Sequence, residues 1–429
     1  MIKDKTQKIA VIGLGFVGLP LAMLLVSKGF RVTGVDVDEK KILSIKNGKS
    51  YIGDINDDLL GKALQSKSFT VTSNYDELGK VDVIIICVPT PLNHDQSPNL
   101  TYVRNAAESI STRLQDGQLV VLESSTYPGT TRDLVLPILE KSGKQVGKDF
   151  YLSYSPERVD PGNKQYEIEN TPKVVGGITN QCSEITIKLY KQIYSEVVPV
   201  SSTEAAEFTK LLENTYRFVN ISFMNEMAMI CNEIGINIWE VIYAASTKPY
   251  GYHPFYPGPG ISGHCIPVDP LYLQYIMEKK GLSSQFIHLS AQLNKEIVDF
   301  IVKRSFDIIG KAQPSIYIYG LTYKKDIGDI RDSRAIDIFN QLIERGAEVS
   351  YHDPFVPEVM INGIKQKSTP ITAETISKQD LILILTDHTD IPSDLLAEHA
   401  KLIFDTRAVF KGASLYKGNI KQLGNGLLV

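Results

Sequence analysis

The 429-residue sequence has only four cysteines, a single tryptophan and no long uncharged apolar run. Four cysteines this far apart do not form a disulfide framework, and they favour a reducing compartment. No Cys or His residues have the pairwise spacing of a zinc site, so we expect no structural metal. Because no apolar run is long enough to span a bilayer and the first residues are polar and charged, we expect a cytoplasmic protein without a membrane anchor.

The charge balance argues against a nucleic-acid-binding protein. Lys and Arg total 45 and Asp and Glu total 49, and both signs are spread through the chain to give a net charge of −4. Without a basic stripe, nucleic acid is not an expected partner. A hydrophobic content of 43% is ordinary for a globular protein with buried cores.

Two parts of the sequence alternate short apolar runs with helical patterns. The first contains KIAVIG, RVTGVDVD, VDVIIICVPT, QLVVLESST, FYLSYSPE and KVVGG, and the second contains SIYIYG, EVSYHDP, LILILTD and KLIFDTR. Continuous Val/Ile runs that alternate with helices are typical of a parallel sheet covered on both faces. The sequence therefore predicts two doubly wound, Rossmann-like α/β domains.

The segment between these blocks has a helical pattern. It contains neither Pro nor Gly from Ser202 until Gly235, its apolar residues recur at helical spacing, and Ser202 or Thr203 can cap its start. We predict a long central helix and a helical middle domain, with domains at 1–201, 202–310 and 311–429. The apolar face of the helix is suited either to a subunit interface or to the intramolecular core.

A glycine-rich turn follows the first predicted strand. Gly13, Gly15 and Gly18 have the G-x-G-x-x-G spacing between a strand and a helix, where they allow a tight turn, close approach of a pyrophosphate and close helix packing. Asp36 ends the next strand, and a carboxylate there favours NAD over NADP, although Lys41 beside it weakens that preference. The alternative is a structural turn without a ligand. Further expected cofactor contacts are Phe16, Val17 and Thr90.

An irregular loop contains the cysteine of greatest interest. PGPGISGHCIPVDP, residues 257–270, surrounds Cys265 with glycines and prolines that are unsuited to a helix or a central strand. A buried inert thiol is the commoner case, and Cys87 and Cys231 fit it. Glycines around Cys265 let a substrate approach, and a thiolate is a strong nucleophile when cations lower its pKa. Composition alone leaves both roles open.

Seven motifs, taken together, resemble one family over essentially the whole chain. GLGFVGLP, VPTP, ESSTYPGTT, SPERVDPG, KLLENTYR, FYPGPGISGHCIPVDP and LTYKKDIGDIRDS occur in the order typical of the UDP-glucose/GDP-mannose dehydrogenase family. Within it, SPERVDPGN and the cysteine loop are similar to the UDP-N-acetylglucosamine 6-dehydrogenases. The resemblance implies NAD-dependent, four-electron oxidation of C6 of UDP-N-acetylglucosamine for surface polysaccharide synthesis.

Several alternatives remain at this point. UDP-glucose, UDP-N-acetylgalactosamine or UDP-N-acetylmannosamine would keep the mechanism and change the sugar. A two-electron hydroxyacid dehydrogenase and a non-catalytic NAD-sensing module are more distant alternatives.

The resemblance also implies catalytic roles. Cys265 would attack the C6 aldehyde to give a thiohemiacetal, and then a thioester after the second oxidation. Lys210 and Asn214 would stabilise negative charge on the oxygen of C6. Asp269 would orient the lysine or a water molecule, and Thr126 would hold that water near the nicotinamide.

Glu157 is the carboxylate that the resemblance assigns to the hydrolytic half of the reaction. UDP-glucose relatives have a second glutamate four residues further on, where this chain has Pro161 beside Asp160, so the base is less well defined than the nucleophile. Together with Glu157, Lys210 and Asn214, the implied substrate contacts are Arg158, Val159, Arg217, His253, Tyr256, Gly263, Tyr323 and Lys324. Arg331 is expected at the NAD phosphates, and we expect a homodimer or a higher homo-oligomer through the central helix.

Overall fold

The computed structural model describes residues 7–53, 55–93, 95–158, 168–263, 265–411 and 418–426. The chain groups into two compact units, Met1–Glu213 with Leu271–Leu282, and Asn214–Pro270 with Ser283–Val429. This grouping does not test the expected division into 1–201, 202–310 and 311–429, which stays a prediction. Val159, an expected substrate contact, lies outside the described residues.

The first unit is built around a sheet. Its strands are β1 (Lys8–Ile12), β2 (Arg31–Val35), β3 (Phe69–Thr72), β4 (Val83–Ile86), β5 (Leu119–Leu122), β6 (Tyr151–Tyr154), β7 (Lys173–Gly177) and β8 (Val197–Pro199). Within the described residues they pair in the order β3-β2-β1-β4-β5-β6-β7-β8. This order, with β1 between β2 and β4, is the doubly wound arrangement that the alternating pattern predicted.

Both faces of this sheet are covered. Ile9 and Val11 of β1 belong to one apolar cluster, and Ala10 and Ile12 belong to another, because successive side chains point to opposite faces. The helices of the unit are α1 (Gly18–Ser27), α2 (Glu39–Lys46), α3 (Asp57–Gln65), α4 (Thr101–Ser111), α5 (Leu136–Glu140) and α6 (Asn180–Tyr190). The predicted two-sided burial is confirmed.

Two strands, β7 and β8, depart from the expected parallel arrangement, because β8 pairs parallel with β7 and so shares its direction. β7 pairs antiparallel with β6, with Ser153 opposite Gly177 and Tyr154 opposite Gly176, whereas the other pairs of this sheet in the described residues are parallel. The prediction that KVVGG is a parallel strand is therefore wrong. A buried apolar run shows that a strand is covered, but it does not specify the direction of that strand.

The predicted long helix is present as α7 (Thr203–Ile234). The hydroxyl of Ser202 accepts a hydrogen bond from the backbone N–H of Ala205 at 3.1 Å, which caps its start. Gly235 follows its end with a φ of +77°, a conformation that glycine adopts without strain. The division between the two units falls within α7 and within α9 (Asp269–Glu278).

The second unit contains another parallel sheet. Its strands are β9 (Ser315–Tyr319), β10 (Glu348–His352), β11 (Glu358–Ile361), β12 (Ile364–Lys367), β13 (Leu381–Ile384), β14 (Ile403–Asp405) and β15 (Ile420–Gln422). The order β10-β9-β13-β14-β15 is parallel throughout the described residues, and β11 and β12 form a separate hairpin. The helices of this unit include α8 (Ile238–Ser246), α10 (Gln285–Ile309), α11 (Arg334–Glu344), α12 (Ala373–Lys378) and α13 (Ser393–His399).

In the described part of the chain, no helix has the length and apolar character needed to cross a membrane.

The end of the described chain packs against the helices of the second unit. The carbonyl of Gly424 accepts a hydrogen bond from Ile238 N at 2.8 Å, and the Trp239 indole donates to the Leu423 carbonyl at 2.8 Å. Gly424 has a φ of +69°, and a Cβ there would lie 2.7 Å from Ile238 and 2.9 Å from Ala228. This close approach requires glycine for two reasons, conformation and space.

We expect Gly424→Ala to lower the thermal unfolding temperature more than Gly363→Ala does. Gly363 has a similar φ of +75° but open space around its Cβ position. Both variants incur the left-handed backbone cost of about 1–2 kcal/mol. Gly424→Ala adds an overpacking cost of about 1–3 kcal/mol. Equal unfolding temperatures, measured by differential scanning fluorimetry, would show that the contact with Ile238 and Ala228 relaxes without cost.

Candidate functional site

The glycine turn lies between β1 and α1 and is shaped by close backbone packing. Gly13 has a φ of +90°, and a Cβ there would lie 2.6 Å from the Cys87 carbonyl oxygen. A Cβ on Gly18 would lie 1.8 Å from the Gly13 carbonyl oxygen, so these two glycines are required by packing alone. A Cβ on Gly15 would meet nothing within 4 Å. The open position at Gly15 is the one where a pyrophosphate approaches in the dinucleotide fold.

Asp36 lies directly after β2 and is held by backbone donors of two segments. Its carboxylate accepts hydrogen bonds from Leu14 N at 2.8 Å and from Asp38 N at 2.9 Å, and Lys41 Nζ lies 3.5 Å away. The residue is only 6% exposed. These contacts connect the carboxylate to the glycine turn and fix its position, and its role in binding a ribose stays a prediction.

The two threonines expected near the cofactor follow neighbouring strands. Thr90 follows β4, and its carbonyl accepts a hydrogen bond from the Tyr272 hydroxyl. Thr126 follows β5 and is 1% exposed, and its buried hydroxyl has no hydrogen-bond partner among the described residues. Since buried polar groups are almost always paired, this hydroxyl is suited to a ligand or an ordered water. The glycine turn and Thr126 together fit a bound dinucleotide. The exposed ring of Phe16 and the partly buried Val17 lie in the same turn.

Lys210 and Glu157 are both buried in the first unit. Lys210 Nζ on α7 donates a hydrogen bond to the Ser125 hydroxyl at 2.5 Å. Ser125 directly precedes Thr126 in the sequence. Glu157, beyond the end of β6, accepts a hydrogen bond from Arg158 N at 2.8 Å, and its other oxygen lies 3.1 Å from Lys173 Nζ.

Other contacts in the first unit were not foreseen from the sequence. Glu207, one turn before Lys210, accepts hydrogen bonds from Gly129 N and from the backbone and hydroxyl of Thr131 at 2.7–2.8 Å. Burial raises the pKa of Glu207 to about 7. Arg158 pairs with Glu213 at 2.6 Å, a contact that the expected role in a sugar pocket did not include.

The cysteine loop belongs to the second unit. Cys265 is exposed, and its carbonyl accepts a hydrogen bond from Asp269 N at 2.9 Å. Asp269 is 2% exposed, and the Asn214 amide on α7 donates to its carboxylate at 2.6 Å. The structure thus brings together three of the expected catalytic residues, a nucleophile candidate, a buried acid and an amide that orients it.

Residues around this loop make further contacts. Gly263 has a φ of +84°, and a Cβ there would lie 2.8 Å from the ring of Tyr323, so the loop packs directly on that ring. Arg331 pairs with Asp329 at 2.6 Å. A hydrogen bond to Asp329 is the main cause of its raised pKa, and Cys265 contributes electrostatically. Lys324 follows Tyr323, and its carbonyl accepts a hydrogen bond from the Thr322 hydroxyl at 3.0 Å.

Three expected substrate contacts lie elsewhere in the second unit. His253 Nδ1 lies 3.4 Å from the Tyr216 hydroxyl, and the exposed Tyr256 stacks on Trp239 with centroids 6.2 Å apart. The side chain of Arg217 is exposed on α7. For these residues the role in substrate binding stays a prediction.

The second unit repeats the strand–turn–carboxylate arrangement of the first. Asp353 follows β10 and accepts hydrogen bonds from Leu321 N at 2.7 Å and Thr322 N at 3.1 Å, as Asp36 does from Leu14. Here the buried His388 also lies against the carboxylate, at 3.2 Å. Burial alone would raise the pKa of Asp353, but hydrogen bonds from His388 and backbone N–H groups hold it below its usual value.

Comparison with known proteins identifies the family. Three models of the UDP-glucose/GDP-mannose dehydrogenase family match in order, the NAD binding domain at residues 7–194, the central domain at 204–296 and the UDP binding domain at 317–412. The chain belongs to the UDP-glucose/GDP-mannose dehydrogenase family. It is therefore an oxidoreductase of the NAD-dependent UDP-sugar dehydrogenase class, and both the resemblance and NAD as its cofactor are confirmed.

Relatives from this family cover nearly the whole chain. A UDP-N-acetyl-D-mannosamine dehydrogenase of Methanococcus maripaludis is 36% identical and is aligned over 98% of this chain and 97% of its own. A UDP-N-acetyl-D-glucosamine 6-dehydrogenase of Salmonella typhi is 35% identical over 89% of this chain and 90% of its own. The solved UDP-D-ManNAc dehydrogenase of Pyrococcus horikoshii superposes with a TM-score of 0.88 at 30% identity, covering 98% of this chain and 99% of its own.

We expect Asp36→Asn to reduce the preference of this dehydrogenase for NAD over NADP by about tenfold. Asparagine keeps an acceptor for Leu14 N, but it removes the negative charge that repels a 2′-phosphate, while Lys41 stays nearby. A tenfold change corresponds to about 1.4 kcal/mol. The measurement is kcat/KM for each cofactor.

The matched control for this prediction is Asp38→Asn. Asp38 caps α2 by accepting from Lys40 N, and asparagine is an equally good cap. An unchanged NAD preference in Asp36→Asn would contradict the role of this carboxylate in cofactor selection.

Proposed function

We propose that this enzyme oxidises C6 of a UDP-N-acetylhexosamine to the uronic acid, with two NAD molecules consumed per product. The observation that supports this most directly is the position of Cys265, which is exposed on a glycine- and proline-rich loop and whose backbone carbonyl accepts a hydrogen bond from the N–H of the buried Asp269. An alcohol dehydrogenase that stops at the aldehyde needs no nucleophile. A four-electron enzyme needs one to convert the aldehyde into a species that can lose a second hydride.

The chain's own residues supply the remaining chemistry. When bound, NAD supplies the hydride acceptor for both oxidations. The Cys265 thiolate adds to the C6 aldehyde to form a thiohemiacetal, and the second oxidation converts this to a thioester. Lys210 and Asn214 stabilise the negative charge that develops on the C6 oxygen, and losing one such donor costs about 3–4 kcal/mol of barrier.

Hydrolysis completes the proposed reaction. Water forms a bond to the acyl carbon, the C–S bond breaks, and Cys265 is released as a thiolate. Glu157 takes a proton from this water, and Thr126 and Asp269 hold the water in place. Two observations support these roles: the buried Thr126 hydroxyl has no partner in the described part of the chain, and Asn214 fixes the orientation of Asp269.

The substrate is proposed from the class of the relatives. Both N-acetylmannosamine and N-acetylglucosamine occur in the names of relatives that are 35–36% identical to this chain. The gluco isomer is favoured by the sequence motifs, and the manno isomer is favoured by relatives that are aligned over 97% of their own length. The acid product suits incorporation into a surface polysaccharide.

A panel of UDP-sugars separates these isomers. We expect NADH formation with UDP-N-acetylglucosamine or UDP-N-acetylmannosamine at a kcat/KM well above that with UDP-glucose, and two NADH per acid formed. One NADH per product would indicate a two-electron dehydrogenase. NAD binding without turnover on any UDP-sugar would indicate a sensing module.

We expect Cys265→Ala to retain NAD and UDP-sugar binding and to form no net uronic acid, because the thioester cannot form. Cys231→Ala is the matched control, since that thiol is buried on α7. Isothermal titration measures binding, and chromatography measures the acid. Acid formation by Cys265→Ala at the wild-type rate would exclude the covalent route.

The proposed oligomer uses the exposed face of α7. Several apolar side chains with exposed fractions of 39–60% lie along one stripe of this helix, at Phe208, Leu212, Tyr216, Phe223, Ile230 and Ile234. A stripe of this kind is suited to a second copy of the chain. The predicted homo-oligomer would bury it.

We expect sedimentation velocity to show a dimer or larger species for the wild type and a shift towards monomer for Phe223→Asp. Ile364→Asp is the control, because Ile364 is similarly exposed but lies on β12. A monomeric wild type, or an unchanged Phe223→Asp variant, would contradict an interface at this stripe.

A further inference from the structure

The first unit buries a group of charges beyond the roles assigned so far. Its members are Glu123, Glu157, Lys173 and Tyr190, here called the buried charge cluster. Lys173 Nζ lies 2.8 Å from Glu123 and 3.1 Å from Glu157, and the Tyr190 hydroxyl donates to the other oxygen of Glu123. Glu123 is 1% exposed and Lys173 is 3% exposed, whereas Glu157 is 8% exposed. The ammonium group of Lys173 therefore forms an ion pair with Glu157 from the buried side of that carboxylate.

The antiparallel direction of β7 explains this arrangement. Glu123 directly follows β5 and Glu157 lies just beyond β6, so both are at the carboxyl edge of the sheet. Because β7 runs the opposite way to β6, its first residue, Lys173, lies at this same edge. The β6–β7 pairing ends at Tyr154 and Gly176, and beyond it Lys173 Nζ lies 3.1 Å from Glu157. In a parallel strand, Lys173 would begin at the other edge of the sheet.

One ammonium group compensates two carboxylates in this cluster. Burial raises the pKa of Glu123, and it would lower the pKa of Lys173, but Glu123 and Glu157 outweigh burial and raise the pKa of Lys173 well above its usual value. A buried carboxylate without a cation is costly and tends to take up a proton. A cation 3.1 Å from Glu157 favours the ionised form that a base requires.

Three described neighbours of Lys173 and Glu157 differ from this ammonium group in charge or in hydrogen-bond partner. Lys173 lies 5.3 Å from the ring centroid of Tyr194, whose pKa is raised by burial first. The Cys87 thiol also has a pKa raised chiefly by burial, so it stays neutral. Lys210 on α7 interacts electrostatically with Cys87, but its ammonium group donates a hydrogen bond to Ser125.

We propose that Lys173 is a positioning residue that holds Glu157 ionised and oriented for hydrolysis of the Cys265 thioester, with Glu123 and Tyr190 fixing Lys173 in turn. This rests on the proposed role of Glu157. Arg158 N binds one oxygen of Glu157 and Lys173 binds the other, so the direction of the carboxylate is set from two sides. Removing Lys173 releases one of these constraints and also favours protonation of Glu157.

The test follows the covalent intermediate rather than the overall rate. In Lys173→Met we expect NADH formation in the first turnover to persist. Hydrolysis at pH 7 should fall by about tenfold or more, because a positioned base contributes about 10²–10⁴-fold. Intact-mass spectrometry should then show the acyl adduct on Cys265 during turnover. Loss of the cation raises the pKa of Glu157, so hydrolysis by the variant should recover as the pH rises.

A second variant separates positioning from general stability. Lys173→Met combined with Glu123→Gln restores the wild-type net charge of the cluster, but it does not restore the contact to Glu157. We expect the double variant to unfold at nearly the wild-type temperature and still to accumulate the adduct. Lys173→Arg keeps a cation and should restore part of the hydrolysis rate. Tyr194→Phe, which keeps the ring beside Lys173, should not accumulate the adduct.

The controls distinguish failure of this inference from failure of the proposed function. If Glu157→Gln accumulates the adduct while Lys173→Met and the double variant hydrolyse it at the wild-type rate, Lys173 is only a structural cation and the inference is wrong. If the double variant recovers hydrolysis together with stability, the inference is also wrong. If Glu157→Gln forms the acid at the wild-type rate and accumulates no adduct, Glu157 has no role in hydrolysis, and the role of Lys173 is refuted with it.

Discussion

Parallel pairing of strands places the carboxyl ends of β1, β2, β4, β5 and β6 at one edge of the first sheet, and the rest of the site depends on this constraint. Asp36, Thr90, Thr126 and Glu157 come from four different strand ends, yet the pairing places all four at this edge. The antiparallel β7 adds Lys173 to the same edge. Backbone hydrogen bonding between the strands therefore decides which side chains meet at this edge.

Buried charge is the main cost of this arrangement, and the protein offsets it with donors from the backbone and from neighbouring strands. Asp36 is paired with backbone N–H groups, and Glu207 accepts hydrogen bonds from Gly129 and Thr131. In the second unit, Asp353 is held by the same kind of turn as Asp36 and by His388. Each carboxylate is held in one orientation, because an unpaired buried carboxylate would be protonated or would force the site open.

Local patterns predicted much of the fold because the relevant information is short-range. The apolar runs of β1, β4 and β13 specify covered strands, and the uninterrupted segment from Thr203 to Ile234 specifies a helix. The hairpin of β11 and β12 was missed, since its strands have polar as well as apolar residues and pair only with each other. The glycine turn was recognised because three glycines with a fixed spacing have few other uses.

Local patterns in the sequence predicted only part of the candidate site. Motifs identified Cys265, Lys210 and Glu157, but nothing local marks Glu123 or Lys173 as partners, even though a lysine that begins the apolar run KVVGG is an unusual feature. Their contact depends on the direction of β7, which an apolar run does not encode.

The sequence by itself determined the apolar strands of the two sheets, the long helix, the glycine turn and the residue types that can perform a thiol-dependent oxidation. These depend on residues that are neighbours in the chain, whose periodicity and spacing are visible directly. Only the tertiary structure decided which strand ends meet, that Asn214 orients Asp269, and that one buried lysine joins two carboxylates. Those contacts join segments that are distant in the chain, and their geometry follows from strand order and direction rather than from any local pattern.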